Sequence, residues 1–256
     1  MIKKISICGK GGSGKSVFVT LIAKILSQKY DVLILDTDES NTGLYKMLNF
    51  ENAPETISDS LGGRKNITKY WNENRLLDLI YDVIQRKKLI TKNKIGLLSI
   101  GKILKGGEGC ACPLNALVRA FLQVYKVGSN EILLLDTEAG VEHIGRGNEK
   151  YVDAIIIIVD PSFESLSLAK RVKDLSIRLG MADERIYVVT NKTDINTNKI
   201  LINGLKERGL ESNFIGAVRF DKKIQEASLL GLPIINYNGD VLYDIKKITD
   251  TIGLTD

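Results

Sequence analysis

Along the chain, short runs of apolar, mostly β-branched residues alternate with stretches whose apolar positions recur at helical spacing. The runs predict strands over Ile2–Cys8, Val32–Asp36, Gly96–Ile100, Ile132–Asp136, Ala154–Asp160, Ile186–Asn191 and Phe214–Val218. Several are apolar throughout, which suits strands buried on both faces of a parallel sheet. Helices are predicted over Lys15–Gln28, Arg75–Lys87, Leu114–Tyr125, Leu166–Leu179, Lys199–Arg208 and Val241–Ile252. This alternation implies right-handed crossovers. The expected fold is α/β: a doubly wound, mostly parallel central sheet of about seven or eight strands flanked by helices. One domain over residues 1–256 is expected. Ligands of such sheets bind beyond the carboxyl ends of the strands, so the residues following Cys8, Asp36, Asp136, Asp160 and Asn191 carry the interest.

Composition narrows the class. At 44% hydrophobic and 26% charged residues, the chain is an ordinary soluble type with material for a sizeable core. Its longest apolar runs fall far short of the roughly 18–20 residues that a membrane span needs. The start, Lys3-Lys4 and then a glycine-rich loop, has no signal-peptide apolar region. Three cysteines exclude a disulfide framework and fit a reducing compartment. A cytoplasmic protein with no membrane partner is expected. The net charge of +5 is uneven, because Arg64 to Lys105 holds eleven basic residues against three acids. That stretch reads as a solvated helical face, and no nucleic-acid partner is expected.

The loop after the first strand reads Gly9-Lys10-Gly11-Gly12-Ser13-Gly14-Lys15-Ser16. It fits the pattern G-x-x-x-x-G-K-S/T in full, between a predicted strand and a predicted helix, as a phosphate-binding loop requires. Its glycines let successive N–H groups turn toward phosphate oxygens, and the helix N-terminus adds partial positive charge. Gly11, Gly12, Ser13, Gly14, Lys15, Ser16 and Val17 are the candidate nucleotide-binding residues, with Lys15 on the outer phosphates and the Ser16 hydroxyl on Mg²⁺. The second strand ends in Asp36-Thr37-Asp38, and a carboxylate there can orient water for attack on a γ-phosphate. A further strand ends Asp136-Thr137-Glu138-Ala139-Gly140, offering a metal-side carboxylate and a glycine able to follow the γ-phosphate.

Two further segments carry chemistry. In Gly107-Glu108-Gly109-Cys110-Ala111-Cys112-Pro113, cysteines two apart in extended backbone face the same side. Pro113 suits the first position of a helix, making Cys112 its N-cap, where thiolate is favoured. Two thiolates are half of a four-ligand site, so two chains, each giving Cys110 and Cys112, would complete it. Cys8, inside a strand, reads as a small apolar residue. The second segment, Asn191-Lys192-Thr193-Asp194, fits an N-K-x-D guanine signature with Asp194 against the base, whereas the family resemblance given below implies Asn191 against adenine.

The segment Lys10-Gly11-Gly12-Ser13-Gly14-Lys15-Ser16 resembles the deviant phosphate loop of the MinD/ParA and nitrogenase iron-protein ATPases. With the G-x-G-C-x-C-P segment and Glu138-Ala139-Gly140-Val141-Glu142-His143, it looks like the CooC-type nickel-insertion ATPases, which mature carbon monoxide dehydrogenase. The resemblance spans essentially the whole chain. It implies a P-loop ATPase whose ATP- and metal-promoted homodimer binds Ni²⁺, with Zn²⁺ able to substitute. The client would be carbon monoxide dehydrogenase or acetyl-CoA synthase. It implies that Lys10 acts on nucleotide held by the other subunit. Asp38 positions the attacking water, Asp36 stands near Mg²⁺ through water, and Asp136 is the second metal-side carboxylate. ATP is favoured over GTP. Glu138, Gly140 and His143 form a nucleotide-sensing switch, although His143 also has the chemistry of a metal ligand or proton relay. In place of the expected D-P-N the chain has Asp38-Glu39-Ser40-Asn41, which leaves Asn41 without an assigned role. Two rival readings are an iron–sulfur-bridged reductase like the nitrogenase iron protein, and a MinD/ParA-type positioning ATPase.

Overall fold

Eight strands form one sheet in a computed structural model that describes residues 2–86, 90–102 and 112–255. They are β1 Lys4–Gly9, β2 Asp31–Asp36, β3 Ile90–Lys92, β4 Ile95–Ser99, β5 Glu131–Asp136, β6 Ala154–Val159, β7 Ile186–Thr193 and β8 Phe214–Arg219. Their order is β3-β4-β2-β5-β1-β6-β7-β8, parallel except for the β3–β4 pair. The helices are α1 Lys15–Leu26, α2 Leu44–Met47, α3 Ile57–Ser60, α4 Arg64–Asn72, α5 Leu76–Arg86, α6 Cys112–Val124, α7 Glu142–Gly145, α8 Phe163–Arg178, α9 Ile195–Glu207, α10 Lys222–Leu229 and α11 Asp240–Thr251.

The seven predicted strands are present, each within two residues at either end. Successive side chains of each strand go to opposite faces. On one face, Ile5, Ile7, Ile34, Leu134 and Ile156 pack under α1 and α11. On the other face, Leu33, Leu35, Leu98, Leu133 and Leu135 pack under α5 and α6. On that same face, Ile155, Ile157 and Val188 pack under α8 and α9. Cys8 is fully buried in this last cluster, as a small apolar residue would be.

Where helices start earlier than their apolar spacing suggested, a cap explains it. The Ser162 hydroxyl accepts from Ser165 N, starting α8 at Phe163. The Asp194 carboxylate accepts from Thr197 N, starting α9 at Ile195. Helix α6 is described from Cys112 on, so the N-cap expected at Cys112 falls at the edge of the described residues. Among the described residues, no helix is long and apolar enough to cross a membrane.

Candidate functional site

The carboxyl ends of β1, β2, β5, β7 and β8 converge on a cleft of about 560 Å³. Its floor is the phosphate loop, with Gly11, Gly12, Gly14, Lys15, Ser16 and Val17 lining it. Gly14 stands at φ 96° before α1, where a Cβ would come 2.5 Å from Asn191 Nδ2. Only glycine allows that approach. Lys15 is 6% exposed and donates to its own loop at Lys10 O, 3.3 Å away. Ser13 is fully buried, and its backbone carbonyl accepts from Asn191 Nδ2 at 2.8 Å. Lys192, at φ 59°, donates to Gly12 O at 2.7 Å, so the end of β7 braces the loop from behind.

The carboxylates lie on the β2–β5 side. Asp36 and Asp136 are register partners on adjacent strands, and both are buried. Among the described residues, neither Asp136 oxygen nor Asp36 Oδ1 has a hydrogen-bond partner. Burial and the neighbouring Asp36 charge push Asp136 up to about 7, while the Ser16 hydroxyl and the Lys15 ammonium pull the other way. Burial likewise pushes Asp36 up to about 6, against the pull of Lys102. Two buried carboxylates with unpartnered oxygens beside a serine hydroxyl make a hard oxygen donor set, which fits Mg²⁺. Ser16, Asp36 and Asp136 are the residues that could hold it. The Asn41 amide donates to Ser16 Oγ at 2.9 Å, which gives that residue a place in the site.

This environment has a pH signature. Each carboxyl keeps a folded pKa above the ordinary 3.8. Folding therefore takes up protons between roughly pH 4 and pH 7, and stability falls as pH rises across that window. A divalent ion on the ionised pair offsets the loss. Mg²⁺ added to the ADP-bound protein is expected to raise Tm more at pH 8 than at pH 5.5. Equal increments at both values, read by calorimetry, would refute the assigned pair.

Asp38 lines the cleft, and its Oδ1 accepts from Ser40 N, Ser40 Oγ and Asn41 N at 2.9, 2.6 and 3.2 Å. After β5, Gly140 N donates to Gly9 O at 3.3 Å, and Glu138 pairs with Arg146 at 3.1 Å. Lys10 is turned the other way, 37% exposed, with Nζ 3.2 Å from Ser162 Oγ and 3.8 Å from Glu164 on the first turn of α8. Cys112 is exposed. Cys110 and the side chain of His143 lie outside the described residues.

Two features escape the sequence reading. Lys102 is not solvated with its basic neighbours: its ammonium is 2.6 Å from Asp36 Oδ2 and 2.6 Å from Asp38 O. The far wall of the cleft comes from Val218 in β8, Phe220 just after it, and Ile224, Gln225 and Leu229 on α10. The strand-end rule applied to Val218 would have found it. Asp194, the candidate base contact of the guanine reading, caps α9 by accepting from Thr197 N at 2.8 Å.

The CobQ/CobB/MinD/ParA nucleotide-binding domain model matches residues 5–234. The chain belongs to that family. It is a P-loop ATPase of the MinD/ParA type. An uncharacterized ATP-binding protein of Methanocaldococcus jannaschii is 39% identical over 237 residues, covering 89% of this chain and 92% of the other. The carbon monoxide dehydrogenase accessory protein CooC of Rhodospirillum rubrum is 31% identical over 236 residues, 90% of this chain and 88% of its own. The Mg-ADP-bound MinD of Pyrococcus horikoshii superposes with a TM-score of 0.72 at 15% identity, covering 99% and 96% of the two chains. That neighbour shares the fold.

Proposed function

We propose that this MinD/ParA-type ATPase is a nickel-delivery factor, which binds Ni²⁺ between two copies of itself and passes it to carbon monoxide dehydrogenase or acetyl-CoA synthase. The observation that carries the reading is Cys112, exposed on the first turn of α6. That turn meets the carboxyl end of β4, where a Cβ on Gly101 would touch Leu114 at 2.7 Å. The thiol thus sits at the same end of the sheet as the nucleotide cleft. The similarity to CooC supports the cargo.

In the reaction, Lys15 neutralises the outer phosphates and Asp38 orients water in line with the γ-phosphate. Ser16, Asp36 and Asp136 would hold Mg²⁺, which would supply charge stabilisation there. Lys10 leaves its contacts on α8, exposed ones worth about 0–1 kcal/mol, to reach nucleotide in the second copy. The loop after β5 links turnover to the metal. Glu138 holds Arg146, whose carbonyl accepts from Arg119 on α6 at 3.3 Å. Asn148 donates to Asn115 on the first turns of the same helix. A shift of the switch at Glu138 and Gly140, with His143 following in α7, is thereby felt by the helix that presents Cys112.

Nickel titration with sedimentation tests the reading. The expected result is one tight metal per two chains, proton release on binding, and metal-promoted dimers. Cys112→Ser is expected to abolish tight binding with nucleotide affinity intact, and Lys10→Ala to weaken ATP-dependent dimerisation. One tight metal per chain, full affinity in Cys112→Ser, or iron and sulfide in protein purified without oxygen would overturn it.

A further inference from the structure

Lys102 lies three residues beyond β4, whose pairing with β2 runs to Asp36↔Ser99 and is prolonged by Ile100 N donating to Asp36 O. That pairing carries Lys102 over the end of β2. Its side chain is only 13% exposed, and its ammonium is shared between the Asp36 carboxylate and the Asp38 backbone carbonyl. The second contact is the informative one. A lysine needed only to neutralise Asp36 has no use for the carbonyl of the residue whose carboxylate faces the cleft. The Asp38 loop is pinned in two places: by Lys102 at the Asp38 backbone, and by Asn41 on Ser16 Oγ. The Asp38 carboxylate hangs between these pins, with Oδ1 held by Ser40 and Asn41.

We propose that Lys102 is a positioning residue for ATP hydrolysis, fixing through the Asp38 backbone the direction in which the Asp38 carboxylate presents water. The proposal rests on the reading of Asp38 as the water-orienting group. Small misplacements of such a group cost rate and leave ground-state binding alone. A counter-ion of Asp36 alone would act on stability and on every bound state equally.

The test is a double-mutant cycle of Asp38→Asn and Lys102→Met, read by single-turnover hydrolysis, equilibrium binding of a fluorescent ATP analogue and Tm. Lys102→Met is expected to slow hydrolysis about tenfold or more with nucleotide affinity within about twofold. In the Asp38→Asn background the same substitution is expected to cost nothing further. Lys102→Arg keeps the charge beside Asp36, and so the fold, yet its longer fork cannot hold both acceptors in place. It too is expected to hydrolyse slowly at an unchanged Tm. Three results would overturn the proposal: a wild-type rate in Lys102→Met or Lys102→Arg, an equal loss in both backgrounds, or a parallel loss of nucleotide affinity. A wild-type rate in Asp38→Asn would instead remove the reading of Asp38 on which it stands.

Discussion

Lys15→Ala protein is expected to lose nucleotide affinity by about a hundredfold or more, while Asp38→Ala binds ATP normally and fails to hydrolyse it. The ammonium of Lys15 is already withdrawn from water, 6% exposed, and its hydrogen bond to Lys10 O is a long 3.3 Å. It has paid its desolvation before nucleotide arrives, and a charge-assisted bond to phosphate replaces a weak one. Removing it also leaves buried Asp136 with one opposing charge fewer where phosphate must sit. Asp38 is different. Its carboxylate is occupied by its own loop and makes no bond to the glycine-rich segment, so binding does not need it. Calorimetric titration with a slowly hydrolysed analogue, alongside phosphate release, separates the two. Equal loss of binding in both variants would take Asp38 out of the hydrolytic step.

Gly9→Ala is expected to destabilise the protein by about 3 kcal/mol or more, lowering Tm by about 10 °C. Gly9 sits at φ 147°, where an added Cβ would lie 2.5 Å from the Ile158 carbonyl oxygen. That oxygen belongs to the backbone of central strand β6, which has no side-chain freedom with which to yield. The Gly9 carbonyl also receives Gly140 N, so displacing it disturbs the β5 loop as well. Gly12→Ala is the comparison: φ is 78°, but nothing lies within 4 Å of its Cβ. Only the backbone strain, of order 1–2 kcal/mol, is expected there. A Gly9→Ala protein melting with the wild type would refute the close approach.

Sequence pattern reached the frame of the molecule because that frame rests on the strongest signals. Ala154–Val159 is apolar at every position because both its faces are covered, and the phosphate loop has a spacing that chance rarely supplies. Weaker elements lacked such signals. Strand β3 is three residues long with two exposed, and helix α4 buries only Ile67. The caps Ser162 and Asp194 were visible in the sequence but were outweighed by apolar spacing that begins later. Lys102 was beyond reach for a different reason. Nothing local distinguishes it from the other basic residues around it, and its partners lie more than sixty positions away. Asn41 became interpretable in the same way, through a contact with Ser16 that only the folded chain supplies.

The strand order also bears on how the protein is made. β1, with the phosphate loop at its end, finds its partners in β5 and β6 and in no strand nearer in sequence. A ribosome releases the loop well before β6, yet Val159, the last residue of that strand, must also emerge before both edges of β1 can close. Until then Ile5, Ile7 and the apolar face of α1 have no finished sheet to rest on. The phosphate-loop strand is thus sheltered late, a delay characteristic of non-local parallel pairing and an interval in which chaperones can hold it.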